Sequence, residues 1–460
     1  MNRLVMVSNR LDVSPGDRAP GGLAVSLAAT LRATGGLWFG WSGQVTPNAQ
    51  GAQDAQGLRQ QTLGRVDYAL VDLSPEEYLH YYQGFSNGIL WPLCHGLPAT
   101  SCPDASAYRV YQQVNARYAE LLGRLLAPTD LVWVHDYHLL PLGTHLRAAG
   151  CRHRVGFFLH VPCPAFQELP QGRELLTAML AYDLIGFQTT EDLVTFQTAA
   201  RWNWGATAVD AEGSLLVEGR RIALGVFPVG IDVAAVSAAA QGLTPTQAAA
   251  WWPGGKTTPR LVGVDRLDVS KGLPLRLNAY RELLAARPGN AALPHYLQFI
   301  TPSRSDLLAN QLLQRDIQSA AAAINSPHEG TGSSPLGCVF EALPQNQLMT
   351  LLASADVGLV TPLKDGMNLL AKEFIAAQPS SNPGVLVLSK HAGAARELES
   401  ALLVEPRDLR AVALAMATAI DMPLIERQER HQALLAALKR HEVSHWHTAF
   451  VERLRESQPR

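Results

Sequence analysis

Two cations five residues apart, Arg266 and Lys271, follow the apolar run Leu261–Val264 within the stretch DRLDVSKG. Fixed positive charges just beyond a strand can stabilise the negative charge that builds on a departing diphosphate. Further along, Val357–Val360 is a short apolar strand. After a Pro-containing turn, Asp365-Gly366-Met367-Asn368 opens a helix whose apolar positions include Leu369, Phe374 and Ala377. The amides at a helix N-terminus favour an anion without a dedicated cation. Gly366 allows close approach, and Asp365 is suited to accept hydrogen bonds from hydroxyls. Glu373, roughly one to two turns on, can reach a second set. Sugar, phosphate and ribose would then lie in line. The plainer readings are a capped helix after a core strand and a pair of solvated cations beside a turn.

The first half of the chain offers groups of another kind. Arg10 sits just past the strand Leu4–Ser8, where ligand contacts collect in open parallel sheets. Tyr78, Tyr81, Tyr82, Phe85 and Trp91 crowd the stretch Glu76–Trp91, well above the 7% aromatic content of the chain. With Arg10 they can cradle a sugar phosphate; the alternative is a helix face packed on the core. Asp136 and His160 follow the apolar strands Leu131–Val134 and Val155–Leu159. Polar groups at the ends of parallel neighbours face one crevice, so both are read as hydroxyl-binding groups. His135, Asp136 and His138 are metal-ligand types, but nothing else completes a coordination set, and no metal is expected. His441 and His445 lack a third ligand and read as a solvated helix face. Gly255-Lys256-Thr257 lacks the earlier glycine and the preceding strand of a phosphate-binding loop and is set aside.

These residues need strands to hold them. Leu4–Ser8, Leu37–Gly43, Val66–Leu73, Leu131–Val134, Val155–Leu159, Leu184–Gln188 and Val226–Ile231 form a first apolar series. Leu261–Val264, Leu297–Ile300, Val357–Val360 and Gly384–Ser389 form a second, and Ala433–Leu454 is a helical tail. The Ala-, Gly-, Thr- and Pro-rich stretch Asp232–Pro259 is the expected hinge. Two serial strand–helix alternations imply an α/β protein of two doubly wound, Rossmann-like domains facing each other across a cleft.

At 460 residues the chain exceeds one ordinary core and suits two domains of roughly 200 residues. A hydrophobic content of 47%, a charged content of 17% and a formal net charge of −2 describe a globular protein with no attraction for nucleic acid or an anionic membrane. The five cysteines are scattered, odd in number and without a CxxC pair, which argues against a disulfide framework or zinc cage and for a reducing compartment. Met1 leads straight into an apolar strand with no signal-peptide features. With no apolar run of about 18 residues to span a membrane, a cytoplasmic location is expected. None of this sets an oligomeric state, and a homo-oligomer stays open.

The segments VSNR, GGL, GLWFGWSG, FSNGILWP, WVHDYHLLP, GFFLHVP, GFQT, DRLDVSKGLP, TPSR and VGLVTPLKDGMNLLAKE stand in this order from Leu4 to about Trp446. Together they resemble the trehalose-6-phosphate synthase family (glycosyltransferase family 20), retaining enzymes of the GT-B arrangement. The resemblance implies transfer of glucose from a nucleotide sugar to glucose 6-phosphate, giving α,α-trehalose 6-phosphate and nucleoside diphosphate. UDP-glucose is the favoured donor, with GDP- or ADP-glucose as alternatives. No covalent nucleophile, metal or cofactor is implied. By matching position, Arg10, Tyr82, Trp91 and Arg304 would grip the acceptor phosphate, and Asp136 and His160 would hold sugar hydroxyls at the reaction centre. Gly22, Arg266 and Lys271 would hold the donor diphosphate. Asp365, with the backbone of Gly366, Met367, Asn368 and Leu369, would hold the donor glucose and phosphate, and Glu373 the ribose. Residues 1–235 would form the acceptor domain, with a helix of about 440–460 packing back on it, and 236–439 the nucleotide-sugar domain.

Two segments depart from the family pattern. The one after His160 (VPCPAFQELPQGREL) is short and carries Cys163 where an aromatic residue is expected, and Asn325–Phe340 differs beside the expected base pocket. Two other readings share the resemblance. One is a related synthase with another acceptor, of glucosylglycerol-phosphate or pseudoglycoside type; the other is a non-catalytic sugar-phosphate sensor. The set Arg10, Tyr82, Trp91 and Arg304 favours a hexose phosphate.

Overall fold

The structure is a computed structural model that describes residues 3–11, 27–47 apart from 29 and 33, 57–100, 105–169, 171–241, 251–252, 258–287, 292–303, 308–328 and 334–457. The described residues fall into two α/β units. One comprises those up to Pro228 together with those from Ser444 onward, and the other runs from Val229 to Val443.

The strands of the first unit are β1 (Leu4–Arg10), β2 (Gly36–Val45), β3 (Leu58–Leu63), β4 (Val66–Leu73), β5 (Leu131–His135), β6 (Arg154–Phe158), β7 (Leu184–Phe187), β8 (Leu215–Val217) and β9 (Arg220–Val226). Among the described residues they make one sheet in the order β3-β4-β2-β1-β5-β6-β7-β9-β8, parallel apart from the antiparallel edge pairs β3/β4 and β8/β9. The central strands are apolar on both faces because both faces are covered. Chain order reverses between β1 and β5, and at such a switch point the loops leaving the two strands part and open a crevice beyond their C-terminal ends. The helix Val443–Glu456 completes this unit from the far end of the chain. Its Phe450 stacks on Trp133 of β5 at 4.3 Å, and its Trp446 lies 4.7 Å from the same ring.

The second unit contains β10 (Arg260–Arg266), β11 (His295–Thr301), β12 (Leu336–Val339), β13 (Val357–Val360), β14 (Val385–Ser389) and β15 (Leu402–Val404). Their order, β12-β11-β10-β13-β14-β15, is wholly parallel and is the doubly wound nucleotide-binding order, with the switch point between β10 and β13. Alternate residues of β14 feed separate cores on the two faces, Val385 and Val387 one, Leu386 and Leu388 the other.

The structure corrects several expectations. Arg10 lies within β1 rather than beyond it. Val226–Ile231 is not a strand: β9 ends at Val226, and Pro228 has no N–H to give a ladder. The tail is two helices, Leu424–Arg440 and Val443–Glu456. The break lies where the chain crosses Gly230, at which a Cβ would come within 2.0 Å of the His441 carbonyl oxygen. The edge strands are not legible as strands in the sequence: β8 (LLV), β12 (LGCV) and β15 (LLV) are too short to show a period, and β3 (LRQQTL) carries too little apolar pattern. No helix among the described residues is long and apolar enough to cross a membrane.

Candidate active site

In the first unit the functional side chains gather at the switch point. Arg10 ends β1 with its guanidinium 5.7 Å from the Trp41 ring centroid. Trp41 lies 5.1 Å from Tyr82, and Tyr82 stacks on His138 at 5.9 Å and on Tyr78 at 5.4 Å. His138 packs on Tyr137 at 4.0 Å, and Tyr137 lies 5.8 Å from Trp91. A continuous arc of rings thus runs from Arg10 to Trp91 past the loop bearing Asp136. The segment Tyr78–Leu90 that supplies Tyr82 is a π-helix, a wide-turn form frequent at functional sites. Tyr78 and Tyr82 are half-buried along one side, while Tyr81, Phe85 and Trp91 are buried. Both readings of the aromatic stretch therefore apply, to different rings.

Asp136 is held in an unusual conformation, φ 77 and ψ 166, which non-glycine residues adopt only when their surroundings force it. Here its N–H donates to the Phe158 carbonyl at 2.8 Å, and its Oδ1 accepts the His160 N–H at 3.2 Å. The strain therefore fixes the carboxylate against the start of the next strand-end loop. His160 is neutral at ordinary pH, because burial pushes its pKa down to about 3. Its Nε2 lies 3.0 Å from Nδ1 of His135, whose pKa is lowered by burial and then by His160.

In the second unit Arg266 ends β10, and Asp268 organises the turn that follows by accepting from Ser270 N–H (3.0 Å) and Ser270 Oγ–H (2.8 Å). This turn carries Lys271 and closes on Gly272 at φ 65, a backbone that favours glycine. Lys271 Nζ donates to Asp365 Oδ2, and the same oxygen accepts from Asn368 Nδ2 at 3.0 Å. Asn368 caps the helix Leu369–Ala377 through its Oδ1, which accepts from Ala371 N–H at 3.3 Å. The N–H groups of Leu369 and Leu370, in the first turn, have no intrahelical acceptor and suit an anion. Residues 391–394 brace the loop from behind: Asp365 N–H donates to His391 O (3.1 Å), and Ala394 N–H to Met367 O (2.8 Å). Glu373 is buried with a hydrogen bond to the Gln345 side chain, and burial raises its pKa to about 7.

Arg10, Tyr82, Trp91, Asp136 and His160 thus cluster in the first unit. In the second, Lys271, Asp365, Gly366, Met367, Asn368 and Leu369 adjoin, with Arg266 and Glu373 on the flanking strand and helix. Gly22, Arg304 and the segment Gly255–Thr257 lie outside the described residues. Among the described residues no group of three or more His, Cys, Asp or Glu could hold a metal. The carboxylate of Asp136 and the ring of His135 are engaged as described, and neither forms such a group with His138.

Four supporting residues were not foreseen. Arg276 is fully buried and donates to Asp265 (2.5 Å), Thr361 Oγ1 (2.8 Å), Gln298 Oε1 (3.0 Å) and Lys271 O (3.4 Å), tying β10, β11, β13 and the Lys271 turn together. Lys372 is buried beside Glu373 and donates to Glu397 (2.7 Å) and to Val229 O (2.8 Å). Asn9 accepts from Tyr81 Oη at 2.7 Å, anchoring the π-helix to β1. The fourth is His135.

One doubly wound domain with cations and helix-terminal amides at its switch point, and another with an arginine, stacked rings, a carboxylate and a neutral imidazole at its own, define a GT-B glycosyltransferase. The chain belongs to glycosyltransferase family 20, whose model matches residues 5–456. The trehalose-6-phosphate synthase of Klebsiella pneumoniae is 41% identical over 467 residues, covering 100% of this chain and 96% of the relative. An α,α-trehalose-phosphate synthase (UDP-forming) from Burkholderia xenovorans, solved in complex with glucose-6-phosphate, matches with a TM-score of 0.93 at 38% identity over 99% of this chain and 100% of that one. A structure from E. coli bound with UDP-2-fluoro glucose matches with a TM-score of 0.93 at 39% identity over 100% of both chains.

Proposed function

We propose that the chain transfers glucose from UDP-glucose to glucose 6-phosphate with retention of configuration, releasing UDP and α,α-trehalose 6-phosphate. The observation that carries this reading is full-length similarity to a trehalose-6-phosphate synthase and to relatives solved with glucose-6-phosphate and with a UDP-glucose analogue. Arg10, Tyr82 and Trp91 take the acceptor phosphate and sugar, with Arg304 as their partner in the family pattern. Asp136 and neutral His160 hold hydroxyls at the reaction centre. Gly22, Arg266 and Lys271 hold the diphosphate, and Glu373 holds the ribose. In the ligand-free protein Lys271 is neutralised by Asp365. On donor binding, Asp365 takes glucose hydroxyls and Lys271 turns to the diphosphate.

The bond from the anomeric carbon to the diphosphate oxygen breaks as the acceptor hydroxyl bonds to the same face. The hydroxyl proton passes to the leaving oxygen. Arg266 and Lys271 stabilise the charge that grows on the leaving group, the largest contribution expected from a site with no covalent nucleophile. The reading also takes the protein to be cytoplasmic, since Cys151 and Cys338 are free thiols, which a reducing compartment preserves.

Nucleoside diphosphate release should be measured across UDP-, GDP- and ADP-glucose with glucose 6-phosphate or glycerol 3-phosphate as acceptor. Release is expected fastest with UDP-glucose and glucose 6-phosphate. Preference for glycerol 3-phosphate would move the acceptor, and binding of both sugars without release would make the protein a sensor.

A further inference from the structure

His135 is fully buried at the end of β5 and has no part in the roles assigned above. Its Nδ1 faces Nε2 of His160 at 3.0 Å. We propose that His135 is the positioning residue that fixes the tautomer and orientation of His160, donating Nδ1–H to His160 Nε2 so that His160 offers its own Nδ1–H to a sugar oxygen. The inference rests on the reading of His160 as a sugar-binding group.

Both rings are neutral, so one proton lies between them and only two arrangements are available. If His160 were the donor, His135 would accept on Nδ1 and carry its own proton on Nε2. That atom is buried and has no protein hydrogen-bond partner among the described residues. The rings of Trp133 and Trp446 lie 4.7 Å and 6.3 Å from the His135 ring, and their indole nitrogens are likewise buried without a protein acceptor. An indole can only donate, so this arrangement would add a third unpaired N–H to a pocket that already holds two. With His135 as the donor, its Nε2 carries a lone pair and no further N–H is left unpaired beside the two indoles, and an orphaned buried acceptor is tolerated better than an orphaned N–H. The second arrangement therefore wins. The His160 backbone is pinned as well, through its N–H to Asp136 Oδ1, so both its main chain and its ring are tied to consecutive residues of one strand end.

Nitrogen-15 NMR of the full-length, histidine-labelled, ligand-free protein tests the assignment, with His160 identified by the signals lost in His160→Gln. His160 is expected to carry its proton on Nδ1 and none on Nε2. His135→Leu is expected to leave His160 exchanging between tautomers and to slow nucleoside diphosphate release by about 10- to 100-fold, by comparison with the loss of groups that orient metal-ligating imidazoles. His135→Asn, whose side-chain N–H can stand in for Nδ1–H, should recover most of that loss. Wild-type His160 protonated on Nε2 overturns the proposal, whatever the variants do. So does a His135→Leu protein whose His160 spectrum and rate are unchanged. Because the tautomer is read without substrate, a protein that releases no nucleoside diphosphate would contradict the proposed transfer and leave the His135 assignment to its own spectrum.

Discussion

Lys271 and Asp365 form an ion pair whose side chains are only 9% and 15% exposed, so removing either leaves a largely desolvated charge without its partner. Lys271→Ala should therefore reduce both stability and turnover, whereas Arg266→Ala should act on turnover. By comparison with lost oxyanion donors, each should slow UDP release by on the order of 10²-fold; unchanged rates in both variants would refute their role at the leaving group. Glu373 makes a prediction of another sign. Its folded pKa of about 7 lies above the ordinary 4.5, so the folded protein keeps a proton that the unfolded chain releases. Glu373 thus favours the fold fully below about pH 4.5, and that contribution is lost as pH rises to about 7, by up to about 3 kcal/mol. Urea unfolding of wild type and Glu373→Gln at pH 5 and pH 8 should show the Gln variant gaining on wild type at the higher pH, and a constant difference would contradict it. Arg266, Lys271 and Asp365 were legible in the sequence because each is a polar group at, or five residues beyond, the end of an apolar strand. Arg276 was not, since its partners Asp265, Gln298 and Thr361 lie 11, 22 and 85 residues away, and no local window brings them together.

The helix Val443–Glu456 packs behind His160 and the end of β5. Trp446 is 6.0 Å from the His160 ring, and Phe450 stacks on Trp133, two residues before His135. Phe450 is fully buried, so Phe450→Ala should cost about 3–5 kcal/mol as a large-to-small core change, measured by denaturant unfolding. A loss under about 1 kcal/mol would mean that the helix is not integral to the first unit. Parallel strands such as LVWVH and LIGF were legible because burial on both faces leaves an unbroken apolar run. The edge strand β3, LRQQTL, exposes four of its six residues and carries no such signal. The break at His441–Glu442 was also hidden, because the crossing chain at Gly230 imposes it and helical periodicity does not.

The parallel strands of each unit run outward from one switch point, and the described candidate site residues stand at the C-terminal end of a parallel strand or on the segment that follows it: Arg10 on β1, Tyr82 and Trp91 after β4, Asp136 after β5, His160 after β6, and the second-unit set after β10 and β13. Linear alternation of strands and helices suffices to predict a doubly wound domain, since parallel neighbours joined by helical crossovers leave few other topologies. It does not predict that residues Ser444 onward rejoin the first unit. The residues proposed for the acceptor and those proposed for the donor belong to different units, which suits an enzyme joining two separately recognised sugars. The most direct test uses UDP-glucose labelled with carbon-13 at its anomeric carbon, incubated with glucose 6-phosphate, with the product read by NMR. Retaining transfer predicts an α-configured label in a 1,1-linked disaccharide phosphate, one for each UDP released. A β-configured label, or free labelled glucose as the product, would contradict it.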